Sequence, residues 1–448
     1  MEKDTIMTKG SPAKKIFFFA MPLIMGNLFQ QLYTFFDTVI VGKMIGMDAL
    51  AAVGTTEWLT FLMFGMIQGI TQGFSVFIAQ KYGAGDERAV RRGVSNSVYL
   101  SLAGACIFVI AGQALIMPLL HLLKTPDEII GMSACYLSVL YYGVPISFLY
   151  NLFAAILRAL GNSKTPLTAI TISSVINIIL DYLFVRCFEA GVFGVALATV
   201  LAQIISMLIC IYRLKEYAVL RLEKEDRKLS REVCREQLRL GVPMGIQNII
   251  TSIGGLVVQS VVNGFGVIFI AAYTAATKLY GLLETAASSY SYAVSTYVGQ
   301  NYGAGELRRV KAGLRAASGI GIATALLMSA IMLFGGKEIL NLFIGGEIDN
   351  TQMAIEIGYQ YLKILAVFFP FLYLLYIWRA CIQGLGNTVL PMLSSFMQLI
   401  MRVLCALLLT GYIGYQGVFW GEIFAWLAAD TFLAVCYFRI MRRVEKTL

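Results

Sequence analysis

For its length this sequence is poor in charge: Asp, Glu, Lys and Arg make up 14% of 448 residues, against 58% for hydrophobic types. A water-soluble domain carries about 25% charged and about 45–50% apolar residues, so a globule in water is excluded. Histidine is scarcer still. The single one, His121, stands at the outer end of an apolar run, where it reads as an interfacial polar residue rather than a metal ligand. The eight cysteines are scattered, seven in or beside apolar runs (Cys106, Cys135, Cys187, Cys210, Cys381, Cys405 and Cys436) and Cys234 in a charged loop. No C-x-x-C pair occurs, which excludes a disulfide framework or a thiolate metal site. H-E-x-x-H, G-x-S-x-G and P-loop spacings are also missing, so a membrane-embedded enzyme such as a transferase finds little acid-base equipment here. The chain is read as a non-enzyme without cofactors.

What fills the sequence instead is long apolar runs. A hydrocarbon core of roughly 30 Å needs about 20 apolar residues per helix. Twelve such runs lie near 15–42, 51–80, 94–120, 131–157, 166–188, 191–213, 240–264, 267–299, 313–335, 356–379, 389–411 and 415–438. They lack the strict alternation of barrel strands, and only helices or closed barrels satisfy the backbone in lipid. The expected fold is therefore an all-α integral membrane protein with twelve transmembrane helices. Met1 to Lys15 is polar and basic, and the run after it lacks a short apolar region with a small-residue cleavage site. It is read as a retained first helix.

The net charge of +9 does not signal nucleic acid, because its placement follows the membrane. Lys81, Arg88, Arg91, Arg92, Arg158, Lys164, the cluster from Arg213 to Arg239, Arg308, Arg309, Lys311 and the last residues from Arg439 fall at the termini and in even-numbered loops. Lys43, Lys124, Arg186 and Lys337 represent the odd loops. By the positive-inside rule both termini and the even loops are expected in the cytoplasm, with the chain in the cytoplasmic (inner, cell) membrane.

The runs are organised as a duplication. Gln80-Lys81-Tyr82-Gly83-Ala84-Gly85 returns as Gln300-Asn301-Tyr302-Gly303-Ala304-Gly305, Leu160-Gly161-Asn162 with Pro166 returns as Leu385-Gly386-Asn387 with Pro391, and Pro145 returns as Pro370. Six spans bring the chain back to its starting side, so the two copies must be parallel repeats, related by an axis along the membrane normal. The expected division is a first lobe over 1–214, a cytoplasmic linker over 215–238 and a second lobe over 239–448.

Polar residues inside the runs mark candidate sites, since ionisable groups in a bilayer are costly. In the first run Gln30, Tyr33 or Thr34, and Asp37 recur at helical spacing. In the fifth, Ser173 or Ser174, Asn177 and Asp181 do the same, and in the sixth Thr199 and Gln203 lie four apart. If these stripes converge they form an oxygen-lined pocket for Na⁺, or a carboxyl pair able to carry H⁺. The alternative is that Asp37 and Asp181 are helix-end or interhelical hydrogen-bonding groups, with Arg186 a possible partner of Asp181. In the second half the positions equivalent to Asp37, Asn177 and Asp181 are Val257, Arg402 and Ala406, so this cation site has no copy there. Gln247 and Thr251 on the seventh run, and Lys278 and Glu284 on the eighth, are candidates for a substrate cavity, together with Gln30, Tyr33 and Asn151 from the first half. Lys278 and Glu284 lie about 120° apart around one helix, too far round for a local salt bridge.

The two-by-six repeat, the Gln-x-Tyr-Gly-Ala-Gly segments, Arg158-Ala-Leu-Gly-Asn162 with Pro166, and Asn177-Ile-Ile-Leu-Asp181 together resemble the multidrug and toxic compound extrusion (MATE) family, DinF-like branch, over essentially the whole chain. The resemblance implies a V-shaped pair of six-helix lobes and an antiporter that exports small amphipathic, often cationic molecules in exchange for H⁺ or Na⁺ by alternating access. It also implies a coupling site in the first lobe, mapping onto Asp37, Asn177, Asp181 and Thr199. The acidic second-lobe site of another branch has no match, because its positions fall near Thr251 and Tyr373. The chain is expected to act as a monomer in the bilayer. A flippase for a lipid-linked precursor is the nearest rival reading, left open by the cations Lys278, Arg379 and Arg402.

Overall fold

The computed structural model describes residues 6–344 and 348–447, the side chains of residues 348, 349 and 447 apart. Among these, every regular element is helical. The first half comprises α1 (Pro12–Ile40), which closes in a π turn at Val41–Ile45, then α2 (Met47–Gly83), α3 (Glu87–Leu122), α4 (Asp127–Tyr142), α5 (Val144–Ala159), α6 (Lys164–Arg186) and α7 (Gly191–Leu214). Two 3₁₀ turns, Ala218–Leu220 and Lys224–Arg227, lead into α8 (Arg231–Val262), followed by α9 (Val267–Gly303), α10 (Leu307–Phe343) and α11 (Ile348–Gly384). Last come α12 (Val389–Leu404), a π turn at Cys405–Leu409, the single turn α13 (Thr410–Ile413) and α14 (Gln416–Thr447). Eleven of the described helical runs are long and apolar enough to cross a membrane, and α4 with α5 make a twelfth span bent by 49°. The all-α, twelve-span architecture expected from the apolar runs is the one adopted.

The bend is a departure from the single fourth run. Gly143 stands at the break and Pro145 is the second residue of α5. A proline without an N–H, two residues after a glycine, removes ladder bonds and the side-chain packing that would hold the helix straight. Its repeat equivalent, Pro370, lies inside an unbroken α11. There the preceding residues are Phe368 and Phe369, and the Phe369 ring is fully buried.

The duplicated motifs turn out to be turn chemistry. Gly85 and Gly305 have φ of +72° and +74°, and Gly161 and Gly386 of +89° and +87°, the left-handed region that glycine enters without penalty. The backbone N–H of Ala84 reaches back to Gln80 O at 3.0 Å, closing α2, and Asp86 Oδ1 accepts from the N–H of Ala89 at 2.9 Å, opening α3. Asn162 and Asn387 likewise accept from the N–H groups of Thr165 and Leu390 at 3.0 and 3.1 Å. Each motif thus ends a helix at a left-handed glycine, and all but the copy before Glu306 also open the next helix with a side-chain cap.

By packing, the chain forms two compact units. One is built mainly from Met21–Gly245 and takes in Gly303–Gly305; the other comprises Thr8–Ala20, Ile246–Tyr302 and Glu306–Leu448. The chain passes between units near Pro22 within α1 and near Pro243 within α8, the first helix of each repeat. In the first unit α2 is a central helix, buried almost without interruption from Thr71 to Ala79. Gly69 and Gly73 on α2 meet Gly241 and Met244 on α8 so closely that a Cβ on Gly73 would lie 2.3 Å from Gly241 Cα. Small residues four apart let two backbones approach, the main source of helix adhesion where lipid removes the hydrophobic drive. The linker is clamped to the same unit: Arg91 Nε donates to Asp226 Oδ2 at 2.6 Å, and Arg88 pairs with Glu225 at 2.6 Å. Asn96 Oδ1 accepts from Ser230 N–H at 2.8 Å. The second unit has an aromatic core, in which Tyr361 stacks on Phe419 at 4.6 Å between centroids and Tyr280 on Trp426 at 6.2 Å.

Candidate functional site

The first-unit stripes on α1, α6 and α7 do converge. Asn177 and Asp181, one turn apart on α6, are 1% and 0% exposed, deep in a membrane-spanning helix. With its amide nitrogen turned toward α1, Asn177 donates to Asp37 Oδ1 at 3.1 Å while its oxygen accepts from the backbone N–H of Thr199 at 3.3 Å. Both oxygens of the buried Asp181 carboxyl lack a hydrogen-bond partner, and Asp37 lies within electrostatic reach of them. The Thr199 hydroxyl donates to Val195 O within its own helix at 3.2 Å, so Thr199 touches the cluster through its backbone. Immediately after Asp37, α1 widens into the π turn Val41–Ile45, an irregularity that frequently accompanies functional positions in helices.

Tyr33 sits within electrostatic reach of both carboxyls. So does Tyr136 on α4, which the sequence reading missed. Its signal was its place three residues after Ser133, itself hydrogen-bonded to Ala52 O at 3.0 Å, but one tyrosine among 23 carries little weight by itself. Gln30 lies exposed on α1, and the Thr34 hydroxyl is turned back to Gln30 O at 3.0 Å. Asn151 on α5 donates to Ser147 O at 2.8 Å, and the Ser147 hydroxyl donates to Gln203 Oε1 on α7, one turn beyond Thr199. Polar contacts therefore run along α7 on one face. Arg186 makes no ion pair with Asp181; it lines a cavity of about 540 Å³ with Lys43, Val185 and Glu189, one turn further along α6.

In the second unit the candidate cavity residues are drawn into local bonds. Gln247 Oε1 accepts from Gln383 Nε2 at 3.1 Å, and Thr251 donates to Gln247 O at 3.0 Å. Glu284 accepts from the Tyr376 hydroxyl at 2.8 Å, while Lys278 is exposed on α9. Arg402, the repeat equivalent of Asn177, pairs with Glu422 on α14 at 2.6 Å, both largely buried. Glu422 and Asp430 were overlooked in the sequence. Their spacing through Trp426 at i, i+4 and i+8 was visible in the last run, but neither has an acidic counterpart in the first half, so comparison of the repeats passed over them.

Residues 22–183 and 243–408 match the family model described as MatE. Among curated proteins, the probable multidrug resistance protein YpnP of Bacillus subtilis (strain 168) is 29% identical over 418 residues, 92% of this chain and 91% of its own length. The probable multidrug resistance protein YoeA of the same organism is 30% identical over 365 residues, 80% of this chain and 78% of its own. Among solved structures, a MOP superfamily transporter from Pyrococcus furiosus Vc1, described by the reverse polarity of its binding pocket, superposes with a TM-score of 0.90 at 25% identity over 97% of each chain.

Proposed function

Because the chain belongs to the MatE family of multi-pass multidrug efflux transporters, we propose that it is a secondary-active antiporter of the cytoplasmic membrane that exports amphipathic, often cationic molecules against an inward flow of H⁺. The observation that carries this reading is the meeting of Asp37, Asn177 and Asp181 inside the first unit. Two carboxyls buried in one cluster are suited to take up and release a single proton, because neighbouring like charges resist ionising together. Asn177 supplies a donor to Asp37 when that carboxyl is ionised, so one member of the pair can carry charge without standing bare in the membrane.

Coupling then follows from linkage. Proton and cargo each bind one orientation of the transporter better than the other, so each shifts the same conformational equilibrium and drives the other's release. The inside placement of the termini rests on the basic even loops. A flippase for a lipid-linked precursor draws less support, because the buried Arg402 is already neutralised by Glu422.

The test is efflux of a fluorescent cationic dye from proteoliposomes, with ΔpH and ΔNa⁺ imposed separately. Asp37→Asn keeps shape and neutral hydrogen bonding but cannot change charge. It should abolish ΔpH-driven efflux while dye binding stays within about twofold, because the lost term is the coupling free energy and not cargo contact. Wild-type efflux by the variant would remove Asp37 from the mechanism, and efflux driven by ΔNa⁺ at equal pH would replace the proton by Na⁺.

A further inference from the structure

The second unit holds a buried polar cluster that proton coupling does not use. Arg379 on α11 is 6% exposed, and its Nη2 donates to Ser394 Oγ on α12 at 3.3 Å, while its Nε has no protein partner. Gln398 and Arg402 follow Ser394 along α12 at intervals of four, on the same face. Gln398 is 4% exposed with Nε2 unpartnered, and Arg402, bonded to Glu422 through Nη2, also leaves its Nε unpartnered. Asp430, two turns beyond Glu422 on α14, is within electrostatic reach of Arg379, yet both its oxygens are buried without a partner.

A single unmade bond can be a packing compromise. Here three donors and a carboxylate from three helices are left over in one place, in a protein whose surroundings offer lipid instead of water. They do not satisfy one another, and their chemistry is of two kinds. A ligand carrying only a cation would leave Arg379 and Gln398 unmet; one carrying only an anion would face Asp430.

We propose that this cluster is a cargo subsite for a zwitterionic amphiphile, with Arg379 and Gln398 holding its carboxylate and Asp430 its cationic group. The inference rests on the efflux reading for treating the ligand as cargo, but the contact is tested by binding alone. Arg402 contributes a donor without adding net charge, because Glu422 neutralises it. The planar guanidinium of Arg379 already has one edge fixed by Ser394, so its Nε edge meets an incoming carboxylate at little entropic cost.

The experiment compares rhodamine 110, which has a free carboxyl, with rhodamine 123, its methyl ester, by fluorescence anisotropy on the purified full-length protein. The two dyes share a ring system and cationic character and differ in the carboxylate. Arg379→Gln should weaken rhodamine 110 by about tenfold or more while rhodamine 123 changes by less than about twofold, the pattern for losing one charge-assisted hydrogen bond. Asp430→Asn should weaken both. Should Arg379→Gln fail to fold, Gln398→Leu carries the same expectation with a smaller loss for the acid dye. A folded Arg379→Gln or Gln398→Leu protein that binds both dyes as wild type does, or loses both in parallel, overturns the subsite. Failure of the antiport reading is seen separately, as wild-type protein that binds the dyes but does not move them down an imposed ΔpH.

Discussion

At the scale of single residues, the tightest constraint in the first unit is space. A Cβ on Gly73 would meet Gly241 Cα at 2.3 Å and one on Gly69 would meet Met244 O at 2.5 Å, both backbone atoms that cannot swing aside. Gly73→Leu must therefore push α8 off α2. The expected loss is about 3 kcal/mol or more, at the upper end of overpacking effects. Gly54, on the same helix, has nothing within 4 Å of its would-be Cβ. Gly54→Ala should be neutral or stabilise by up to about 1 kcal/mol, since alanine loses less backbone freedom in a helix. Thermal unfolding of the two variants in one detergent checks both, and equal behaviour would show that the glycine contact carries no weight.

At the scale of elements, the linker behaves as part of the first unit. The charged run after α7 reads in sequence as a solvated connector, yet Asp226 within it is fully buried against Arg91. Burial pushes the Asp226 carboxyl up, but the hydrogen bonds from Arg91 and the Glu223 N–H, with the charges of Arg91 and Arg88, together hold it below the ordinary carboxylate range. A carboxyl whose folded pKa is depressed stabilises the folded state above its unfolded value, and that stabilisation disappears only as pH falls through the folded value. The clamp should accordingly be indifferent between about pH 5 and pH 8 and open in acid below about pH 4. Arg91→Ala leaves a buried carboxylate without its cation, a change costing about 3–5 kcal/mol in comparable pairs. Limited trypsin digestion should then cut the 221–231 segment about tenfold faster than in wild type, because local opening governs cleavage. An unchanged digestion rate would mean that the backbone bonds at Asn96 hold the linker without the ion pair. A second strap of the same kind joins Lys311 of α10 to Glu445 of α14. Each residue lies 220 positions after Arg91 or Glu225, so each half ties its exit segment to its third span.

For the whole molecule, the topology rests on where cations cluster, and the structure supplies a good probe for it. Cys234 is the native thiol of the linker, but it is half-buried and its Sγ lies 3.3 Å from Asn96 Oδ1. Leu229 is 68% exposed nearby. In a cysteine-free background, Leu229→Cys should react with a membrane-impermeant maleimide only after permeabilisation, and His121→Cys, on the opposite side, in intact cells. Reaction of residue 229 from outside would invert the assignment of every loop.

Much of this protein was legible in its residues alone, for reasons that belong to the solvent. Lipid demands about 20 apolar residues per span and a helix in each, so span number, helical class and duplication are written in composition and spacing. The Asp37, Asn177 and Asp181 stripes were legible for the same reason, since a bilayer makes every buried polar residue conspicuous. Other features depended on neighbours distant in sequence. Whether Pro145 would break its helix while Pro370 did not was decided by the packing of adjacent residues. Whether Arg402 would stand free in the membrane was decided by Glu422, twenty positions away on another helix. The role of Thr199 was decided by its backbone N–H, which no side-chain pattern reports. Pairing between helices depends on rotation and register about each axis, and these are set only when side chains from several helices compete for the same interior space.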